Sequence, residues 1–308
     1  MHAPHRHRSM PRVAALVLLL TSVALAADPA GRVIDGPAGK LYVEVRGTAP
    51  GRPLLVVNGG PGFGHAYLLA SPVWDQLSQS RRVVMYDQRG TGRSTEVKPG
   101  TPVTLTDQLA DLEAVRKSLG AQEVDLLGHS YGGSLVMAYT ARFPGQVKRL
   151  LIVDSAAPKL SETTDLFKHA YPDVTERMDG FEFSAQLNDP AAIEGEIGAY
   201  LSMIFWSPDH RDAFLRHYTP GTFRRHVNEA VSADLGRYDL TPEIRKFKLP
   251  VLVITGRYDM NVAPSVAWKI HQAIPGSRIV FFERSAHLPF YEEPERFRTV
   301  VQEFLGKP

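Results

Sequence analysis

The stretch Leu126-Leu127-Gly128-His129-Ser130-Tyr131-Gly132-Gly133 narrows the possible folds more than any other part of this chain. Val124, Leu126 and Leu127 give the apolar run of a buried strand, while Leu135, Val136, Ala138, Tyr139 and Ala141 continue at helical spacing. Between them Gly128 and Gly132 flank Ser130 as G-x-S-x-G. A serine at such a strand-to-helix turn is held in a strained backbone conformation, and small residues two positions to either side let strand and helix approach closely. The hydroxyl is thereby pushed out of the sheet toward substrate. Alone, the pattern also fits a Gly-rich turn that binds phosphate or nothing, so the surrounding chain has to decide.

That surrounding chain reads as strands alternating with helices. Val33 to Arg46 has a hairpin pattern around the turn residues Gly36-Pro37-Ala38-Gly39, as expected for an antiparallel sheet edge. Leu54–Val57, Val83–Tyr86, Leu150–Val153, Pro250–Thr255 and Ile279–Phe282 are further short apolar or β-branched runs, and the spacing of Leu109, Leu112, Val115 and Leu119 predicts a helix with Thr106 as N-cap. The expected fold class is α/β, a mostly parallel sheet covered by helices on both faces. From about Pro158 to Lys248 the alternation breaks. Aromatics, histidines and charges accumulate there, with helical patterns near Ile193–Phe205 and Phe223–Leu235. The expected division is a core of 27–157 and 249–308 carrying an inserted helical cap at 158–248.

The first 26 residues stand apart, with basic Arg6, Arg8 and Arg12, an apolar run from Val13 to Leu25, and Ala24 and Ala26 spaced as A-x-A. This is a secretory signal pattern, and it predicts export to the periplasm or the medium, with retention as an anchor the alternative. The run is short for a spanning helix, so no stable membrane insertion is expected after processing. Overall there are 35 Lys and Arg against 33 Asp and Glu, and setting aside the three leader arginines brings the remainder to −1. No basic run with interleaved aromatics is left to suggest nucleic acid. With zero cysteine there are no disulfides, no thiolate metal sites and no cysteine nucleophile.

A serine hydroxyl is a weak nucleophile at neutral pH and needs a base, which in turn needs an orienting carboxylate. Asp259 follows the strand ending at Thr255, and His287 follows the strand ending at Phe282. Ends of successive parallel strands open on one crevice, so Ser130, Asp259 and His287 are expected to converge there. Asp154, also at a strand end, is the competing acid. The developing oxyanion requires backbone donors. Tyr131, directly after the serine, supplies one, and Gly60 in the turn Asn58-Gly59-Gly60-Pro61-Gly62 is expected to supply the second. His210, His217 and His226 lack matched carboxylates and there is no H-E-x-x-H, so no metal and no other cofactor is expected. Gly90-x-Gly92 is half of a dinucleotide fingerprint, and a P-loop is absent.

Taken together, Gly59-Gly60-Pro61-Gly62, Asp87-Gln88-Arg89-Gly90-Thr91-Gly92-Arg93-Ser94 and Gly128-His129-Ser130-Tyr131-Gly132-Gly133 resemble the proline iminopeptidase branch of the α/β-hydrolase superfamily. The resemblance implies a serine exopeptidase that removes N-terminal proline through an acyl-enzyme, with the oxyanion held at Gly60 and Tyr131. Its partners would be small peptides or other small acyl substrates. Two departures matter. Asn58 stands where the family commonly has histidine, and it can hydrogen-bond but not carry charge. The family binds the substrate ammonium through cap glutamates, for which Glu182, Glu194, Glu196 and Glu229 are the candidates here, beside Phe181, Phe183, Phe205, Trp206 and Phe223 as walls of an apolar pocket. An ester, lactone or amide hydrolase on the same fold is the alternative reading. A binding module with a dead site is a third, against which the joint presence of Ser130, Asp259 and His287 speaks.

Overall fold

The computed structural model describes residues 31–187 and 189–306, so the leader pattern of residues 1–26 lies outside the described residues. The chain opens with the hairpin β1 (Arg32–Gly36) and β2 (Gly39–Arg46), followed by β3 (Leu54–Val57), α1 (Val73–Ser78), β4 (Val83–Tyr86), α2 (Leu105–Ser118), β5 (Val124–His129), α3 (Tyr131–Arg142) and β6 (Val147–Val153). A run of helices comes next: α4 (Phe167–Ala170), α5 (Pro172–Gln186), α6 (Pro190–Ser202), α7 (Pro208–His217), α8 (Arg225–Leu235) and α9 (Thr241–Ile244). The chain then returns through β7 (Val251–Gly256), α10 (Pro264–Ala273), β8 (Arg278–Phe282), α11 (Pro289–Glu292) and α12 (Pro294–Leu305).

The strands form one sheet in the order β1-β2-β4-β3-β5-β6-β7-β8. The pairs β1/β2 and β2/β4 are antiparallel, and the pairs from β4/β3 through to β7/β8 are parallel. The period-2 geometry of a strand shows directly in the packing. Leu55, Val57, Leu126, Leu150 and Ile152 point into the layer that holds α2, α3 and α10. Their neighbours Leu54, Val56, Leu127, Leu151 and Val153 point the other way, against Trp74 and Leu77 of α1 and Phe297, Val301 and Leu305 of α12. A strand buried on both faces must be apolar throughout, and this accounts for the unbroken runs at these positions.

Helix α2 starts two residues earlier than the spacing of its apolar face suggests. Its N-cap is Thr104, whose side chain accepts from Asp107 N–H while the Asp107 carboxylate accepts from Thr104 N–H. This reciprocal box, and not Thr106, satisfies the orphan donors of the first turn. The excursion α4 to α9 leaves and rejoins the sheet at one neck: Lys159 bridges Asp239, and Leu240 N–H donates to Pro158 O (3.0 Å). No described helix is long and apolar enough to cross a membrane.

Candidate active site

Ser130 sits between β5 and α3 with φ 55° and ψ −124°, a left-handed conformation that a side chain enters at a cost. What holds it is crowding that only glycine tolerates. A Cβ on Gly128 would lie 2.2 Å from Gly132 O, and one on Gly132 would lie 2.4 Å from Val57 O. Strand and helix therefore meet backbone to backbone. Ser130 N–H donates to Val153 O (2.9 Å) and Ser130 O accepts from Gly133 N–H (2.9 Å), which pins the turn to β6 and to the first turn of α3.

His287 lies in the loop after β8 and is almost wholly buried. Its Nδ1 hydrogen-bonds Asp259 Oδ2 at 2.7 Å, while Asp259 Oδ1 accepts from the N–H groups of Asn261 and Val262, both at 2.9 Å. With Nδ1 donating, Nε2 is the acceptor, and among the described residues its donor is Asn261 Nδ2 at 3.1 Å. Asn261 also donates to Tyr200 Oη of α6 (3.1 Å). Asp154, after β6, does not take the Nδ1 bond; it is buried beside Asp259, with Oδ1 accepting from Gly256 N–H (2.8 Å). Asn261 and Tyr200 carry no sequence pattern that singles them out.

The loop after β3 is shaped by polar side chains. Asn58 Nδ2 donates to Gly59 O (2.9 Å) and Phe63 O (2.8 Å), and Gln88 Nε2 donates to Asn58 O (2.9 Å). An uncharged amide can do this work without a counter-ion. Gly59 N–H donates to Tyr67 Oη (2.6 Å), Tyr67 O–H donates to His129 Nδ1 (2.6 Å), and His129 Nε2–H donates to His287 O (2.8 Å). Burial pushes His129 well below its ordinary range, so its neutral ring accepts at one nitrogen and donates at the other. The chain of bonds ties the Gly59 turn, the residue before Ser130 and the His287 backbone into one unit. Because Tyr67 takes the Gly59 N–H, the next one along is that of Gly60, which lines the same cavity as Ser130 and His287. Tyr131 is the first residue of α3, where N–H groups have no intrahelical acceptor.

A second buried cluster braces this loop from below. His65 Nδ1 bonds Asp87 Oδ1 (2.8 Å) and Nε2 bonds Glu44 Oε2 (3.2 Å). Burial lowers the imidazole, but these two carboxylates more than offset it and hold His65 above its ordinary value.

The cavity above Ser130 measures about 700 Å³. Phe63, Tyr67, Leu201, Ile204 and Phe214 give it an apolar wall, and Arg93, His217 and Arg224 also line it. Its one carboxylate among the described lining residues is Asp87, which already accepts from His65 and from Arg93 N–H (2.8 Å). Glu182, Glu194, Glu196 and Glu229 are not lining residues. Arg225 pairs with Glu196 (2.6 Å) and Glu229 (3.7 Å), Glu194 accepts from Gly221 N–H (2.7 Å) and Tyr218 O–H (3.2 Å), and Glu182 accepts from Gln186 on the exposed side of α5. The expected aromatic wall is also different. Phe181, Phe183 and Trp206 are exposed, Phe205 is buried against Phe214, and Phe223 packs behind Phe63 without lining the cavity.

A family model described as the alpha/beta hydrolase fold matches residues 52–294. Over 280 residues the chain is 31% identical to the proline iminopeptidase of Saccharolobus solfataricus, covering 87% of this chain and 88% of the relative. To the proline iminopeptidase of Clostridium botulinum it is 30% identical over 284 residues, 87% of this chain and 95% of the relative. Among solved structures, the proline iminopeptidase of Mycobacterium smegmatis superposes with a TM-score of 0.71 at 26% identity, covering 90% and 97% of the two chains. An esterase from Exiguobacterium antarcticum superposes equally well, at 0.71 and 24% identity over 90% and 100%, and shares the fold. The serine elbow, the parallel sheet and these matches agree: the chain belongs to the α/β-hydrolase fold family, in its proline iminopeptidase-like branch, and is a hydrolase.

Proposed function

We propose that this hydrolase releases N-terminal proline from small peptides through an acyl-enzyme on Ser130. The observation that carries the reading is the opening of Ser130 and His287 into one cavity, with Asp259 on the far nitrogen of His287. Ser130 Oγ attacks the acyl carbonyl while His287 Nε2 takes its proton, exchanging the Asn261 donor for the serine hydroxyl. The same proton passes to the leaving amine as the C–N bond breaks. Asp259 keeps the Nδ1–H tautomer and stabilises the imidazolium. The N–H groups of Gly60 and Tyr131 receive the oxyanion, and water then cleaves the acyl-enzyme by the reverse route. Proline as the acyl group is supported by relatives of 30–31% identity that bear the name proline iminopeptidase.

One observation favours a second reading, hydrolysis of a carboxylester, lactone or amide without a free amine. A buried ammonium needs converging carboxylates, and among the described residues the lining holds only Asp87, already engaged by His65 and Arg93 N–H. The test is a fluorophosphonate label with peptide mapping, followed by rates on a prolyl anilide, its N-acetyl form and a short acyl ester. The label is expected on Ser130, and Ser130→Ala is expected to lose 10³-fold or more in kcat, as roughly found when one member of such a unit is removed. Full activity in Ser130→Ala would end the serine reading. Equal rates on free and N-acetylated substrates would transfer the assignment to the ester class. We also propose export by the leader in residues 1–26, to be checked by the N-terminus of protein recovered from the periplasm or the medium.

A further inference from the structure

The loops after β6 and β7 bring two aspartates side by side against His287. Both are buried, and one carboxylate oxygen from each lies with a ring nitrogen of His287 in a cluster no wider than 4.8 Å. Their donors differ. Asp259 accepts from three: Asn261 N–H, Val262 N–H and His287 Nδ1–H. Asp154 accepts from Gly256 N–H at Oδ1, while its Oδ2 is enclosed with no donor among the described residues. Two carboxylates that share a dry site do not both ionise, and the proton stays on the one with fewer donors. Burial, followed by the charge of Asp259, drives Asp154 far above the usual carboxylate range. No Lys or Arg pairs with either group among the described residues. The other titratable groups near them are His287 itself, His129 behind it, and Tyr200 of α6 beyond Asn261.

Building on the assignment of Ser130, His287 and Asp259 made above, we infer that Asp154 is a positioning residue that remains protonated and donates its Oδ2–H to the Asp259 carboxylate. His287 then faces one negative charge shared over two carboxyls. A second full charge would stabilise the imidazolium and leave less of the neutral ring that accepts the serine proton near pH 7. The O–H also gives Asp259 a further donor, fixing the plane in which it meets Nδ1. The backbone of Asp154 has φ 43°, a region that Asn enters as readily as Asp, so the amide is a conservative replacement there.

The experiment follows the rate of Ser130 phosphonylation against pH in the full chain, with a fluorophosphonate as probe. In Asp154→Asn an amide N–H replaces the carboxyl O–H. Its rate at pH 7 is expected within about threefold of wild type with the acid limb unmoved, since a neutral donor persists. Asp154→Ala removes the donor, and its acid limb is expected to move up by roughly one pH unit, with up to about a tenfold lower rate at pH 7. Movement of the acid limb to lower pH in Asp154→Asn would show that Asp154 had carried a charge, and overturns the inference. So does a loss of thermal stability in Asp154→Ala with the limb in place, the signature of a merely structural role. Carboxyl-carbon NMR of ¹³C-aspartate wild-type protein decides independently of variant folding: one aspartate at the protonated position at pH 7 supports the inference, and none overturns it. Wild-type protein that fails to label at Ser130 counts against the serine assignment, and the NMR spectrum still judges Asp154.

Discussion

Ser130 holds a backbone conformation that its own side chain disfavours, and the residues around it decide whether the chain can keep that turn. Gly128 and Gly132 keep it by leaving no Cβ between strand and helix, since a Cβ there would lie only 2.2 Å and 2.4 Å from backbone oxygens. Tyr67 contributes differently, with one hydroxyl that serves two buried groups, accepting from Gly59 N–H and donating to His129 Nδ1. Tyr67→Phe keeps the ring and strands both partners. The expected cost is about 1–3 kcal/mol of stability, because unsatisfied buried polar groups lose their solvation without replacement. A fall in kcat of roughly tenfold to a hundredfold is expected alongside, since the loop bearing Gly60 is no longer tied to His129 and a small misplacement of a catalytic group is enough to slow the chemistry. Denaturant unfolding and steady-state kinetics on the same sample measure both. Unchanged kcat would show that the tie does not position the loop.

Among the elements, the strands follow from composition and the helix ends do not. Leu54–Val57 and Val83–Tyr86 are apolar at every position because helices cover both faces of the sheet, and no other local structure suits so short an apolar run. The start of α2 was less legible. Thr104 and Thr106 both stand just ahead of the apolar positions Leu109 and Leu112, and the choice fell to Thr104 because Asp107 stands three residues on and closes the box. Thr104→Ala is therefore expected to cost about 1 kcal/mol and Thr106→Ala only a few tenths, a difference thermal melts resolve. Equal effects would mean that the box is not what starts the helix. The segments α4, α5, α7 and α9 are helices that no apolar stripe singled out. They lie in the excursion between β6 and β7, where packing onto the core and onto one another replaces a single buried face.

At the scale of the molecule, Glu292 couples the excursion to the site. Its Oε1 accepts from Trp206 and Ser207 N–H, both at 2.9 Å, and its Oε2 accepts from Ala286 N–H (2.7 Å), next to His287. His287 N–H in turn donates to Ile204 O (3.1 Å). Burial pushes the Glu292 carboxyl up to about 7 despite these donors. The unfolded chain ionises Glu292 near 4.5 and the folded chain near 7, so between those values the native state holds a proton that the unfolded state has released. Stability from this group therefore falls as pH rises from about 4.5 to about 7 and is flat above. Glu292→Gln removes the titration. The stability of wild type relative to Glu292→Gln is expected to decline by roughly 1–3 kcal/mol between pH 5 and 7.5, read from denaturant unfolding at each pH. A difference that does not vary with pH would place the titration elsewhere.

The sequence by itself determined the α/β class, the order of strands and helices through the core, and the strand ends at which Ser130, Asp259 and His287 stand. These are local properties: period-2 and 3.6 patterns, glycines where backbones must touch, and residues that follow directly after apolar runs. The sequence favoured Asp259 over Asp154 as the partner of His287, and tertiary structure supplied the contact itself, since both acids stand at strand ends and the register of β6, β7 and β8 sets their distances. Tertiary structure alone decided that Asn261 caps Nε2, that Tyr67 and His129 form one relay, and that the wall comes from Phe63 and Phe214 in place of Phe181, Phe183 and Trp206. A helix in the excursion can be recognised from its pattern. The face it turns to the cavity depends on what it packs against, and that information is spread over residues distant in the chain.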